Sequence, residues 1–258
     1  MDSLIKDFDD LSAFINRFDD NFFWKPINTD NNTIQEFDKL YQLVQESQTW
    51  DRSRNWEKGR VLEELAVFIF SRFQGVSVQK NFRPADNESD VEVQLDTKIR
   101  PQFMNDYIGP KIICECKNYK SKSIDVGMVV KLAELLPLRS AKFGVFISIL
   151  GVGGYEWRYG EGKRKKILLK EGVPLISFRF VELECLRDGV NFYTLIQQKV
   201  KALYDEVDDE SPDVPPNGHM EYSKRILEVI KHLTKCEIIS VEDSEKFSER
   251  VIALYGEL

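Results

Sequence analysis

At 258 residues the chain is long enough to bury a substantial core, and 42% hydrophobic, 12% aromatic and 31% charged residues are typical of a soluble protein. No apolar run approaches the roughly 20 residues of a membrane-spanning helix, and the opening MDSLIKDFDD is acidic where a signal peptide is basic and then apolar. We therefore expect a cytoplasmic protein. Its four cysteines contain no CxxC pair and it has two histidines, which disfavours a structural zinc site.

The net charge of −7 disfavours indiscriminate binding to nucleic acid, but the charge is distributed unevenly. Residues 97–172 contain 15 lysines and arginines against 7 acids, a local charge of +8. A basic segment within an acidic chain can steer a polyanion to one surface.

The first 56 residues are predicted to form a mostly helical extension. Aromatic-rich pieces alternate with Asp/Asn-rich ones, and the helical pattern IQEFDKLYQLVQESQ follows. Thr33 and Glu36 have the spacing of a capping box for that helix. Burial is expected, in preference to base stacking, for the four tryptophans: Trp24, Trp50, Trp56 and Trp157.

Residues 57–204 alternate between helix and strand patterns. The first helix, 57–73, carries Leu62, Leu65, Ala66, Ile69 and Phe73 at helical spacing. Three strands follow, at 75–82, 89–97 and 111–118. The remaining predicted elements are the helix DVGMVVKLAELLPLRSA, with Val126, Val129, Val130 and Ala133 toward the core, a buried strand at 143–150, a basic helix at 159–172, a strand at 173–178 and a helix at 191–204. This order predicts an α/β fold, a mixed central sheet with helices on both faces.

The end of the chain differs in composition. Residues 205–219 are acidic and proline-rich, which is typical of a linker, and residues 220–258 are predicted to form a small helical tail.

The third strand, within KIICECKNYK, carries charge where an apolar run is expected. Alternation directs Ile113, Glu115 and Lys117 to one face of the sheet, and Cys114 and Cys116 to the other. An isolated ExK pattern is also compatible with a solvated ion pair on the wet face of a strand.

The second strand has an acidic face of its own, formed by Asp90, Glu92 and Gln94. If the two strands pair as a hairpin, this face lies beside Glu115 and Lys117. Converging carboxylates repel unless positive charge lies between them, and hard oxygen ligands select Mg²⁺ or Mn²⁺ over zinc.

The first helix supplies one more acid. At about 100° per residue, Glu63 falls at the shoulder of the apolar stripe, whereas Glu64 falls on the solvent side. A charge at the shoulder indicates a partner or a function.

The motifs GxxLE (Gly59 to Glu63), Asp90 and ExK, on a helix and the following strands, resemble the PD-(D/E)xK nuclease superfamily, with the Mrr-like branch closest. The resemblance covers residues 57–180 and implies a restriction-endonuclease-like core with helical additions at both ends. Ser89 replaces the proline of the family name, and the helix after ExK lacks a glutamine often found there.

The resemblance implies a Mg²⁺- or Mn²⁺-dependent endonuclease acting on DNA, of the restriction or phage-defence type. It makes Asp90, Glu115 and the Cys116 backbone carbonyl metal ligands, Lys117 the residue that orients or deprotonates the attacking water, and Glu63 a ligand of a metal-bound water or second ion. Two alternatives stay open: an inactive nuclease-fold subunit that binds nucleic acid or serves a structural role, and an RNA nuclease. Expected partners are DNA and, in addition, a second copy of the chain or a defence-system protein.

Several lysines and one arginine are candidates for phosphate contacts. The alternative for the basic helix is an ordinary solvated face. The candidates are Lys120, Lys122, Lys163, Arg164, Lys165 and Lys166.

Overall fold

A computed structural model describes residues 7–82, 89–95, 100–155, 158–207 and 217–256. Five strands form one sheet in sequence order, namely β1 (Val76–Phe82), β2 (Ser89–Leu95), β3 (Lys111–Lys117), β4 (Phe143–Ser148) and β5 (Leu175–Arg179). The pairs β1–β2 and β2–β3 are antiparallel, and β3–β4 and β4–β5 are parallel. The predicted α/β class with a mixed sheet is confirmed.

Helices precede, follow and connect the strands. They are α1 (Phe8–Ile15), α2 (Asp20–Phe23), α3 (Asn31–Ser47), α4 (Asn55–Phe70), α5 (Val126–Leu138), α6 (Tyr159–Glu171), α7 (Phe192–Val207), α8 (Tyr222–Lys235) and α9 (Val241–Tyr255). Short 3₁₀ turns lie at Ile27–Thr29, Arg52–Arg54 and Phe180–Asp188, and a π turn at Met104–Ile108. Residues 96–97 of the predicted second strand, 208–216 of the predicted linker and Trp157 lie outside the described residues.

One face of the sheet packs against α4. The predicted apolar stripe of that helix is confirmed, since Leu62, Leu65, Ala66 and Ile69 are fully buried. They belong to one cluster with the β2 and β3 side chains that point the same way, among them Val91, Val93, Ile112 and Cys114. Alternation along the strands therefore separates the apolar α4 face from the face that carries Glu115.

The other face of the sheet packs against α5 and α6. Ile113, Phe146 and Leu175 from three adjacent strands join Leu132 of α5 and Ile167 of α6 in a second buried cluster. The α5 prediction was correct for Val129 and Ala133 and wrong for Val126, which is 40% exposed at the first turn of the helix.

The N-terminal helices share the larger cluster. Phe37 and Tyr41 of α3 are buried in it, and the Tyr41 ring stacks on Phe180 with centroids 4.2 Å apart. The predicted capping box was wrong by one turn, because Asp30 caps α3 by accepting the backbone N–H of Thr33 at 2.9 Å. An aspartate is at least as good an N-cap as a threonine, and the helix starts at the earlier acceptor.

The C-terminal helices α8 and α9 pack on each other, and the start of α8 contacts the start of α6 and the turn before it. Glu221 Oε1 accepts the backbone N–H of Gly154 at 3.1 Å, and the Arg225 guanidinium lies 4.9 Å from the centroid of the Tyr159 ring. Across the described ranges no helix has the length and apolar character needed to cross a membrane.

Candidate active site

The register of β2 and β3 brings two acids together. Val91 lies opposite Cys114 and Glu92 opposite Ile113, so the preceding residue of β2, Asp90, lies beside the end of β3 where Glu115 is found. Directly paired residues project to the same face of a sheet, so the side chains of Asp90 and Glu115 share a face. The two strands pair antiparallel, and the acidic face predicted from alternation lies beside Glu115 and Lys117 as expected for that pairing.

Lys117 joins the two carboxylates. Its Nζ lies 2.8 Å from Glu115 Oε2 and 3.1 Å from Asp90 Oδ2. Asp90 Oδ2 also accepts the backbone N–H of Cys116 at 2.8 Å, which fixes the carboxylate against the end of β3. The three side chains form one hydrogen-bonded group, here called the Lys117 cluster.

Burial and mutual charge set the protonation of this cluster. Burial raises the pKa of Glu115 and the Asp90 charge raises it further, while Lys117 and Lys131 partly offset both effects. Burial by itself lowers the pKa of Lys117, but the Glu115 and Asp90 carboxylates outweigh it, so the net shift is upward. Lys117 is therefore an ammonium donor in this state, and with both acids ionised the cluster has one negative charge in excess.

The donor atoms around the cluster suit a hard divalent cation. Glu115 Oε1 is buried and has no hydrogen-bond partner among the described residues. Because the N–H and C=O of one strand residue point to the same side, the Cys116 carbonyl faces the Asp90 side as its N–H does. Carboxylate and carbonyl oxygens are the ligands that Mg²⁺ and Mn²⁺ prefer. Among the described residues, no group of three or more His, Cys, Asp or Glu side chains is arranged so that it could hold a metal ion.

Glu63 and Glu64 have the contrasting positions expected from the helix face. The side chain of Glu63 is 11% exposed, whereas that of Glu64 is 45% exposed. Lys80 of β1 lies between them, with its Nζ 3.8 Å from Glu63 Oε2 and 3.2 Å from Glu64 Oε1. The structure thus holds Glu63 through an ion pair with β1, separate from the bonds that join Asp90, Glu115 and Lys117.

A second lysine–carboxylate pair lies at the opposite end of the same two strands. Lys111 Nζ is 2.7 Å from Glu92 Oε1, and both side chains project to the face that carries Glu115. This pair holds one acid and one base.

The candidate phosphate-binding residues fall into two groups. Lys120, Lys122 and Lys166 are exposed, although Lys122 pairs with Asp125 at 3.0 Å. Lys163 of α6 is half-buried. The other two α6 cations are already engaged in ion pairs, Arg164 with Glu161 and Glu206, and Lys165, whose side chain is 3% exposed, with Glu206 at 3.6 Å.

Sequence reasoning missed Asn118, the residue after Lys117. Its Nδ2 donates to Lys58 O at 2.7 Å and to Ser47 Oγ at 3.0 Å, and its Oδ1 accepts from Gln48 Nε2 at 2.6 Å. It ties the end of β3 to α3 and α4. An amide directly after ExK is a visible signal, but nothing local points to partners 60 to 71 residues away.

Comparison with protein-family models, with curated proteins and with solved structures finds no match to this chain. The Lys117 cluster is therefore interpreted from its own chemistry.

Proposed function

We propose that the chain hydrolyses phosphodiester bonds of DNA in a metal-dependent reaction at the Lys117 cluster. The observation that carries this proposal is that two carboxylates from different strands, Asp90 and Glu115, converge on one lysine ammonium at 3.1 and 2.8 Å. A purely structural pair needs one acid for one lysine, and the excess carboxylate leaves negative charge for a cation to neutralise.

The order of elements supports a restriction-endonuclease-like core. A helix (α4), three antiparallel strands, a helix (α5), a buried parallel strand, a helix (α6) and a final strand follow one another as the resemblance implies. The positions of Asp90 at the start of β2 and Glu115 near the end of β3 agree with what the resemblance implies for metal ligands, which supports the proposal.

Asp90, Glu115 and the Cys116 carbonyl would hold Mg²⁺ or Mn²⁺, with Glu63 holding a bound water or a second ion. Bound there, the ion would polarise the phosphate and lower the pKa of a water molecule.

Lys117 supplies the remaining positive charge in this mechanism. As an ammonium donor it stabilises the charge that develops on the non-bridging phosphate oxygens, or orients the attacking water. In the reaction, the water oxygen bonds to phosphorus and one P–O ester bond breaks. The water proton is released, and the departing oxygen is protonated from solvent. The backbone N–H of Cys116 donates to the Asp90 carboxylate and would keep it in position during the reaction.

A second candidate is a subunit of the same fold that binds nucleic acid without cleaving it. This second candidate is favoured by the bonds of Lys117. Its ammonium group already bonds to one oxygen of each acid, as in a structural ion pair.

Incubation of plasmid DNA with the protein in Mg²⁺, in Mn²⁺ and in EDTA tests the proposal. We expect nicking or linearisation with either ion and none in EDTA, with a structured RNA of similar length cut more slowly. Efficient linearisation would in addition indicate a dimer, since one such site cuts one strand at a time. Intact plasmid under all conditions would favour the binding subunit, and preferential loss of the RNA would reassign the substrate.

A further inference from the structure

A basic and aromatic corner connects the end of α3 to the start of α4. Residues 50–60 read WDRSRNWEKGR and contain two tryptophans, four cations and two acids. We call these residues the α3–α4 corner. Its local charge of +2 contrasts with the net charge of −7 of the chain.

Trp56 is the exposed aromatic residue of this corner. It is 67% exposed, contrary to the burial expected from the sequence, whereas Trp24 is fully buried and Trp50 half-buried. The Arg60 guanidinium lies 4.6 Å from the centroid of the Trp56 ring. An indole has two faces, and one guanidinium covers only one of them. At 67% exposure, Trp56 therefore leaves much of its ring open to solvent beside the Arg60 guanidinium.

Two arginines of the corner have no carboxylate partner among the described residues. Glu57 is paired with Arg54 at 2.7 Å, and Asp51 accepts the backbone N–H of Ser53 at 2.9 Å. Arg52 and Arg60 are exposed, and no carboxylate of the described residues lies within 4.0 Å of either guanidinium. The acids of the corner are thus engaged locally, while these two cations face solvent.

The corner is joined to the end of β3 through the residue that follows Lys117. Lys58 lies within it, and its backbone carbonyl accepts a hydrogen bond from Asn118, the neighbour of Lys117, at 2.7 Å. Lys58 itself is only 9% exposed and is one helical turn from buried Leu62, so it lies on the side of α4 that faces the sheet. Trp56 and Arg60, two positions to either side of Lys58, project from the opposite side of α4, where both are exposed to solvent.

We propose that the α3–α4 corner binds unpaired nucleotides of the nucleic-acid substrate, with a base stacked on the open face of Trp56 and phosphates bound by Arg60 and Arg52. This inference rests on the proposed function and adds a substrate class, nucleic acid that contains a single-stranded segment. Stacking requires an exposed base face, which a paired duplex withholds. The free arginines match the phosphate charge, and their positive surplus favours a polyanion over an ordinary protein partner.

Binding of a labelled 15-nucleotide single strand and of a 15-base-pair duplex, measured by fluorescence anisotropy in EDTA, tests the inference without any cleavage. We expect Trp56→Ala to weaken single-strand binding about 5- to 100-fold and duplex binding far less, and Trp56→Phe to retain most of the affinity. Arg60→Gln should weaken both and lower the salt dependence. Phe8→Ala is the matched control, because Phe8 is an exposed aromatic residue, 88% exposed, on α1.

Wild-type affinity in Trp56→Ala, an equal loss for both substrates, or no binding by the unaltered protein would overturn the inference. A Trp56→Ala variant that binds nucleic acid like the wild type but has a different sedimentation coefficient would also overturn it, because the corner would then be a protein interface. Plasmid cleavage separates the two proposals. If the unaltered protein cleaves plasmid and Trp56→Ala does not change nucleic-acid binding, only the stacking proposal is wrong. If binding depends on Trp56 but the unaltered protein does not cleave, only the proposed nuclease activity is wrong.

Discussion

Two groups of charges on one face of β2 and β3 differ by a single acid. At one end of the strands Glu92 pairs with Lys111, and at the other Asp90 and Glu115 share Lys117. Burial does not distinguish them, since the side chains are 8% and 20% exposed in the first group and 3% to 18% exposed in the second. Each group also has one buried carboxylate oxygen without a hydrogen bond among the described residues.

The comparison shows that neither burial nor a carboxylate oxygen without a hydrogen bond distinguishes the two groups. The distinguishing feature is stoichiometry. Glu92 and Lys111 neutralise each other, whereas the Lys117 cluster retains one carboxylate charge that its lysine does not balance. Matched substitutions at the two ends of the same strands can therefore separate function from local structure.

Loss of cleavage is the largest expected difference between the two ends. Asp90→Ala, Glu115→Ala and Lys117→Ala should each lower plasmid cleavage by at least about a hundredfold, because each removes a charge that acts on the transition state. Lys111→Ala should retain activity, since its pair lies away from the reacting phosphate. Initial rates in Mg²⁺, with circular dichroism to verify folding, measure the effect.

Activity close to that of the wild type in any of the three cluster variants would contradict the site assignment. The same assay compares the two acids of α4. Glu63→Ala should impair cleavage, whereas exposed Glu64→Ala should not, and equal effects would mean that the buried position of Glu63 has no functional meaning.

Metal binding gives the next largest difference. An ion that binds only the folded chain stabilises it by about 2.7 kcal/mol at 100 times its Kd, enough to raise Tm by several degrees in a chain of this length. We expect a saturable rise with Mn²⁺ and a similar or weaker rise with Mg²⁺ or Ca²⁺. The rise should vanish in Asp90→Ala combined with Glu115→Ala and persist in Glu92→Ala. A wild-type Tm that does not change in millimolar Mn²⁺ would favour the alternative function, a subunit that binds nucleic acid without cleaving it.

Stability without metal should change in opposite directions at the two ends. Because the pKa of Glu115 is raised in the fold, its ionised form costs folding free energy. Glu115→Gln should therefore raise Tm at neutral pH, since Lys117 keeps Asp90 as its partner. Glu92→Gln should lower Tm, because it leaves Lys111 without the carboxylate that balances its charge.

The sign of the pH dependence follows from the same shift. A carboxyl group whose pKa is higher in the folded state contributes stability below its ordinary pKa, and this contribution is lost as pH rises through the folded pKa. The Tm advantage of Glu115→Gln should accordingly be small below pH 4.5 and grow as pH rises. Thermal melts between pH 4 and pH 8 measure it. A difference in Tm between Glu115→Gln and the wild type that does not vary with pH would mean that ionisation of Glu115 does not limit stability.

The smallest expected effect concerns the salt dependence of DNA binding. If α6 contacts phosphates, Lys163→Ala with Lys166→Ala should lower the slope of log K against log salt by about 0.9 for each lost contact. Lys165→Ala should leave the slope unchanged, because its charge is held by Glu206 at 3.6 Å. Equal slopes in both variants and in the wild type would assign α6 to a solvated face.

The Lys117 cluster was predictable because a strand has a strict two-residue period. Once Asp90 and Glu115 were assigned to strands, the apolar alternation of Val91, Val93 and Leu95 set the face of Asp90, and the structure supplied the register. The helix face of α4 separated Glu63 from Glu64 for the same reason. Periodic patterns of this kind specify which side of an element meets the core.

Contacts between distant residues were not predictable. Arg164 and Lys165 form part of a basic run, and nothing in that run points to Glu206, some 40 residues later, as their partner. The exposure of Trp56 is likewise decided by what packs around it, while local composition favours burial. The choice of Asp30 over Thr33 as helix cap was open because both residue types can cap.

The bonds of Asn118 make the position of Lys117 depend on residues far earlier in the chain. Ser47 and Gln48 lie at the end of α3, well before β3 in the chain, yet they bond to the Asn118 amide next to Lys117. A fragment that begins at residue 57 would lose both, along with the buried Trp24 indole that donates to Ile69 O in α4 at 2.9 Å. Deletions or fusions within the first 56 residues would thus act as remote mutations of Lys117, and residues 57–180 would not fold and function independently of them.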